Sequence, residues 1–180
     1  MTIELRFVRE ADLSSPIIAW FGGNLGYSHV GAVLPVGSLR PVWWPRGYAY
    51  GRTGYELGAR LRANRSLSGK AGVQLRPLDY ARFTRQCYVS LPASEEQTAR
   101  FWALWSAQLG CPYSWRTILG FALGREIHDH GAWDCSTGIA WATVGCGVFP
   151  EALRPHLQQI TPDALWLACA VYPGAVCRTV

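Results

Sequence analysis

Apolar and polar residues alternate at the start of the chain, Ile3, Leu5 and Phe7 against Glu4, Arg6 and Arg9. A period of two predicts a half-buried strand. The run 28–34 predicts a second strand, turning at Pro35-Val36-Gly37-Ser38 and returning through 39–43 as a hairpin. Further strands are expected at 55–61, 72–76 and 83–91, with Phe83, Cys87, Val89 and Leu91 on one face of the last. The stretch 45–54, rich in glycine, tyrosine and arginine, reads as loop.

The period then changes. Ser14-Ser15-Pro16 predicts a short helix through Trp20, ended by Gly22-Gly23. Ser94 followed by Gln97 has the form of a capping box. It opens a helix over 95–109 with Phe101, Trp102, Leu104, Trp105 and Leu109 in one stripe and Gly110 as its stop. Helices are also expected at 115–123 and 135–144, separated by a polar loop over 124–133. Thr161-Pro162-Asp163 starts a last helix, and a terminal strand follows from 171 onward. Strands lead and helices follow, which predicts an α+β fold with an antiparallel sheet or partial barrel packed against helices. With no repeat and no low-complexity linker, residues 1–180 are expected to form one domain.

Composition narrows the class. Apolar residues at 49% and charged residues at 16% exclude a disordered chain. Nine arginines and Lys70 between positions 40 and 85 face only Glu56 and Asp79, whereas five acids outnumber Arg154 and Arg178 after position 125. Such asymmetry fits an anionic partner for the 40–85 region, with a merely solvated basic face as the alternative. The longest apolar stretch, 164–176, is broken by Pro173 and Gly174 and is too short for a membrane span. No signal-peptide or lipidation pattern is visible, and the six cysteines form no close CxxC pair. Free thiols in a reducing, cytoplasmic setting are expected.

The chemistry concentrates in two segments. Cys135 stands in the first turn of a predicted helix, where unpaired N–H groups favour a thiolate, and Asp134 before it suits a cap. His29 lies on the strand at 28–34, on a rigid support for a general base. A structural thiol and a satisfied core histidine are the alternatives. His128, Asp129 and His130 near Cys135 offer zinc-type ligands but lack a second cluster, so no metal is expected. Trp43-Trp44, Tyr48 and Tyr50, interleaved with Arg46 and Arg52, have the make-up of a stacking surface for sugars or bases, or equally of a packed loop. His156 stands alone and is expected at the surface.

Trp133-Asp134-Cys135-Ser136-Thr137-Gly138-Ile139 resembles the Asp-Cys-Ser-Gly-Leu motif that carries the nucleophile of NlpC-type papain-like cysteine peptidases. Ser28-His29-Val30-Gly31 resembles their His-Val-Gly strand. Histidine precedes cysteine here, as in the circularly permuted branch that includes YiiX-like and YebB-like proteins and lecithin retinol acyltransferase. The resemblance covers the chain from Ile3 onward as a series of elements. It implies a papain-like fold, Cys135 as nucleophile, His29 as base, no cofactor, and peptide or amide substrates with cell-wall peptides foremost, in bacterial or phage settings.

Cys111-Pro112-Tyr113-Ser114-Trp115 looks like the Pro-Tyr segment beside the nucleophile, which implies substrate contact for Tyr113, together with Ser28, Trp133 and Ser136. The branch often has Cys-Ser-Glu, where this chain has Cys135-Ser136-Thr137. Its third catalytic position falls near Gly58-Ala59, and Gly58 has no side chain. Glu56 shares that face two residues earlier and is the local substitute, with water or a backbone carbonyl as alternatives. A lipid thioesterase or acyltransferase, with a tunnel lined by Phe101, Trp102 and Trp105, is one rival reading. A degenerate binding or virion component is the other.

Overall fold

The computed structural model describes residues 1–11, 26–34, 54–63, 65–67, 69–123 and 131–180, with side chains for all of these except 118 and 121–123. The expected helix at 14–20, the turn and return strand at 35–43, most of the loop at 45–54 and most of that at 124–133 lie outside the described residues.

Six strands form one open antiparallel sheet: β1 (Thr2–Glu10), β2 (His29–Leu34), β3 (Tyr55–Arg60), β4 (Gly72–Pro77), β5 (Phe83–Pro92) and β6 (Val176–Thr179). Their order across the sheet is β4-β3-β2-β1-β5-β6. Strand β1 therefore lies inside the sheet, pairing Leu5 with Ala32 of β2 on one side and with Val89 of β5 on the other. Alternation sets the faces. Ile3, Leu5, Phe7, Val30, Ala32, Leu57, Ala59, Val73, Leu75, Val89 and Leu91 all join the apolar core. The intervening positions Arg6, His29, Glu56, Gln74 and Arg76 are polar, and they too are buried.

Phe83 departs from its expected face. A bulge between Arg9 and Glu10 pairs them with Arg85 and Phe83, leaving Thr84 as the extra residue in β5. An added residue reverses the phase of a strand. The Phe83 ring consequently lies under the Arg6 guanidinium, 4.3 Å from its centroid, instead of joining Cys87 and Val89 in the core.

Among the described residues, four α-helices lie between β5 and β6: α1 (Glu95–Ser106), α2 (Trp115–Leu123), α3 (Cys135–Gly145) and α4 (Pro162–Ala170). A 3-10 helix (Glu151–Gln159), for which the sequence pattern gave no signal, precedes α4. The capping box at Ser94 forms as expected, with Ser94 Oγ accepting from Gln97 N and Gln97 Oε1 accepting from Ser94 N. Helix α1 stops at Ser106, three residues short of the expected end, and reaches Gly110 through a turn with positive φ of 87°.

Helix α3 is the central one. It packs against β2, β3, α1, α4 and the 3-10 helix, and nine of its eleven residues are buried. A helix that is apolar or small on every side belongs inside. Its close seat on α1 depends on Gly138, where a Cβ would stand 2.4 Å from the Trp105 ring. Trp105 is held in turn by its indole N–H, which donates to the Leu57 carbonyl at 3.0 Å. The start of α3 is thereby fixed against the sheet.

Gly138→Ala should lower unfolding stability by about 1–3 kcal/mol, the usual cost of overpacking a tight core. Urea unfolding should read this as a lower midpoint with an unchanged slope.

Candidate active site

His29 is the first residue of β2 and is almost wholly buried. The approach to it is tied down. Asp163, in the first turn of α4, accepts from Gly26 N at 3.1 Å and Tyr27 N at 2.8 Å, and Ser28 N donates to the Val8 carbonyl at 2.9 Å. The ring then engages two side chains. His29 Nε2 lies 3.1 Å from Glu56 Oε1, and Cys135 is the other neighbouring side chain that favours the protonated ring.

Two glycines make room for this arrangement. A Cβ on Gly58 would lie 3.2 Å from His29 Cε1 and 3.3 Å from Nε2. A Cβ on Gly31 would lie 3.1 Å from Glu56 Cδ. The bare position at Gly58 is thus the floor on which the imidazole rests, and Glu56 supplies the partner that Gly58 lacks. Glu56 Oε2 also accepts from Arg6 Nη1 at 3.1 Å, with both residues about 98% buried or more.

The electrostatics follow from burial and pairing. Burial works against a charged His29 ring, but its hydrogen bonds to Cys135 and Glu56 overcome this and raise its pKa to about 9. Burial likewise opposes an ionised Glu56, and the contacts with His29 and Arg6 outweigh it, holding the carboxyl below its ordinary range.

Asp134 caps α3. Its Oδ1 accepts from Ser136 N at 2.9 Å, Thr137 N at 3.0 Å and Ser136 Oγ at 2.8 Å. The cap takes the N–H groups of 136 and 137, and that of Cys135 is not among them. Cys135 itself is only 4% exposed.

Tyr113 reaches Cys135 through the backbone. Residues 112–114 run alongside Trp133, with Ser114 N donating to the Trp133 carbonyl and Trp133 N to the Pro112 carbonyl, each at 3.0 Å. Burial, then the nearby Cys135 and Asp134, push the Tyr113 hydroxyl well above its usual pKa. Arg60 completes this side. It pairs with Glu10 and Tyr80. Burial lowers its pKa, while Tyr80, Cys135 and Tyr113 act the other way, which marks it as a cation in the field of the thiol.

Three of the residues expected at the substrate are turned elsewhere. Ser136 is fully buried, and its hydroxyl serves the Asp134 cap. The Trp133 indole donates to Gln108 Oε1 at 2.9 Å and packs on Trp105 and Trp141. Ser28 is buried with its hydroxyl on the Val8 carbonyl at 3.4 Å. Each holds a neighbour of the pair in place. His128, Asp129 and His130 lie outside the described residues, and no group of metal-ligating side chains occurs among those described. His156 is exposed, as expected. In the basic 40–85 region, Arg76 is turned inward and Arg60 is mostly covered, whereas Arg62, Arg65, Lys70, Arg82 and Arg85 are exposed. Arg40, Arg46, Arg52 and the aromatic residues at 43, 44, 48 and 50 lie outside the described residues.

Arg6 was not singled out from sequence, because a charged residue in an alternating strand reads as solvent-facing. The available signal was on β3, where Glu56, Gly58 and Arg60 break an otherwise apolar strand at every second position.

A folded His29 that keeps its proton to about pH 9, against 6.5 ordinarily, contributes stability fully below pH 6.5 and loses it as pH rises through 9. Glu56 contributes above its ordinary 4.5 and loses that as pH falls through its lower folded value. Wild-type stability relative to His29→Ala should therefore decline from pH 6.5 to 9, and relative to Glu56→Gln below about pH 4.5, when urea midpoints are compared across pH. No known protein-family model matches this chain, and no curated protein matches it by sequence, so the site is defined by its own geometry.

Proposed function

We propose that this protein is a cysteine hydrolase of the permuted papain-like kind, cleaving amide bonds through a thioester intermediate. The observation that carries the reading is one imidazole that lies 3.1 Å from the Glu56 carboxylate and whose protonated form is favoured by the neighbouring Cys135. A nucleophile, a base and an orienting group in contact are the recognised signature of nucleophilic catalysis.

The steps follow from the geometry. The Cys135 thiolate attacks the carbonyl carbon, and the tetrahedral oxyanion is met by the Cys135 N–H at the positive end of α3. His29 gives its proton to the departing amine, so the C–N bond breaks and a thioester remains. Water then loses a proton to His29 and attacks the thioester, releasing a carboxylic acid and regenerating the thiol. Glu56 keeps the ring in the orientation and protonation state that both half-reactions use. Arg60 adds positive potential near the sulfur.

Cell-wall peptides are the leading substrate class, in keeping with the resemblance of the Cys135 and His29 segments. The lipid reading called for a tunnel lined by the α1 aromatics. Phe101 and Trp105 are fully buried, Trp105 against Gly138, and Trp102 is partly buried. The degenerate reading draws on the bare Gly58 and the altered Thr137, and the contact of Glu56 with His29 supports an orienting group in place of a side chain at Gly58.

Iodoacetamide labelling at pH 6, followed by mass spectrometry of all six cysteines, tests the proposal. Cys135 should react at least ~30-fold faster than any other cysteine, since an ordinary thiol with pKa near 8.5 is almost entirely protonated at that pH. His29→Ala should remove the preference. Uniform labelling would overturn the assignment. Glu56→Gln should slow amide hydrolysis about 10²–10⁴-fold, the range seen when the group behind a catalytic histidine is lost.

A further inference from the structure

The thiol chemistry proposed above rests on Glu56 being ionised and fixed in orientation, yet Glu56 is buried. A carboxylate removed from water is strongly disfavoured unless paired. We propose that Arg6 is a positioning residue for the reaction: it holds Glu56 so that Glu56 holds His29, and Gly31 is the opening in β2 through which this connection passes.

Arg6 is itself held from two sides. Its Nε and Nη2 donate to Gln86 Oε1 on β5 at 3.2 and 2.6 Å, and its guanidinium lies 4.3 Å from the Phe83 ring centroid. The Phe83 ring is there because the bulge at Thr84 reversed the phase of β5. Anchored in this way, the planar fork directs Nη1 to Glu56 Oε2 at 3.1 Å. The chain of contacts then runs from Gln86 on β5 to Arg6 on β1, Glu56 on β3, His29 on β2 and Cys135 on α3.

Strands β1 and β3 are not neighbours, because β2 lies between them. The residue of β2 paired with Arg6 is Gly31. A side chain there would meet the Glu56 carboxyl carbon at 3.1 Å and its Cβ at 3.3 Å. A Cβ at this position would force the Glu56 side chain to give by a few tenths of an ångström and so disturb the salt bridge where it crosses the intervening strand. The glycine two places after the base histidine therefore has a physical reason in this chain.

Other charged groups surround the carboxylate without replacing Arg6. Arg76 is paired with Glu56 in the β3–β4 register, but its Nη2 donates to the Arg62 carbonyl. The Tyr80 hydroxyl and Arg60 lie in the same polar layer, where Arg60 is engaged by Glu10 and Tyr80. Among the described residues, Glu56 forms ion pairs with Arg6 and His29.

The test is the pH profile of Cys135 alkylation by iodoacetamide from pH 4 to 9, for wild type, Arg6→Met, Glu56→Gln, Gly31→Ala and the Arg6→Met/Glu56→Gln double variant. Arg6→Met should move the acid limb up by about one pH unit or more, a roughly tenfold loss of rate on that limb below about pH 4.5, because Glu56 is then neutral over more of the range. Gly31→Ala should shift it in the same direction. In the Glu56→Gln background, adding Arg6→Met should change nothing further, since the carboxylate through which Arg6 acts is gone.

An Arg6→Met profile superimposed on wild type, or an equal loss with and without the Glu56 carboxylate, overturns the proposal. Should Arg6→Met fail to fold, the double variant buries no unpaired charge and its comparison with Glu56→Gln decides: coincident profiles support the proposal, and a further loss overturns it. Failure of the hydrolase reading looks different, because there wild-type Cys135 itself shows no selective labelling.

Discussion

A single buried carboxylate, Glu56, ties the polar layer of the sheet to the thiol. One oxygen accepts from Arg6 and the other contacts His29. Each neighbour alone would be costly inside the protein, since a buried charge without a partner is destabilising by several kcal/mol. Together they form an alternating series, cation, anion, imidazole and thiol, in which each member compensates the next. The neutralisation accounts for a sheet face that is polar and yet buried, an unusual combination for strands that otherwise read as plain alternation.

The backbone supports that series by subtraction as much as by addition. Gly31 and Gly58 lie on neighbouring strands, and each leaves the volume that a functional side chain occupies: Glu56 over the first and His29 over the second. Gly138 performs a related service on the helix side, admitting Trp105 beneath α3. Packing at interior density leaves no slack for an added methyl group at such contacts. The position of these side chains is therefore set in part by where their neighbours lack a Cβ.

The thiol end has its own restraint. The Asp134 cap satisfies two N–H groups of α3, while 112–114 runs beside Trp133 and brings Tyr113 to the sulfur. The residues flanking the motif, Ser28, Trp133 and Ser136, spend their polar atoms on backbone or neighbouring side chains. They make the site rigid, which suits chemistry whose rate depends on sub-ångström placement.

Local pattern alone determined the strands β1 to β5, the capping box of α1, the starts of α3 and α4, and the pair of motifs carrying His29 and Cys135, because period, caps and turn residues act over a few neighbours. The 3-10 helix escaped notice, since Pro155 and its mixed composition carry no clean period. Phe83 was placed on the wrong face because one extra residue in a bulge reverses alternation and leaves no mark in the sequence. Glu56 could be picked out by its parity with Gly58, but its bond to His29 depends on strand register. Arg6 could not be picked out at all: in sequence it is an ordinary polar residue between Leu5 and Phe7, and only the insertion of β1 between β2 and β5 buries it and brings it to Glu56 across Gly31. Charges far apart in sequence acquire meaning through strand order, and strand order is decided by burial of the whole apolar face, a property of the assembled sheet.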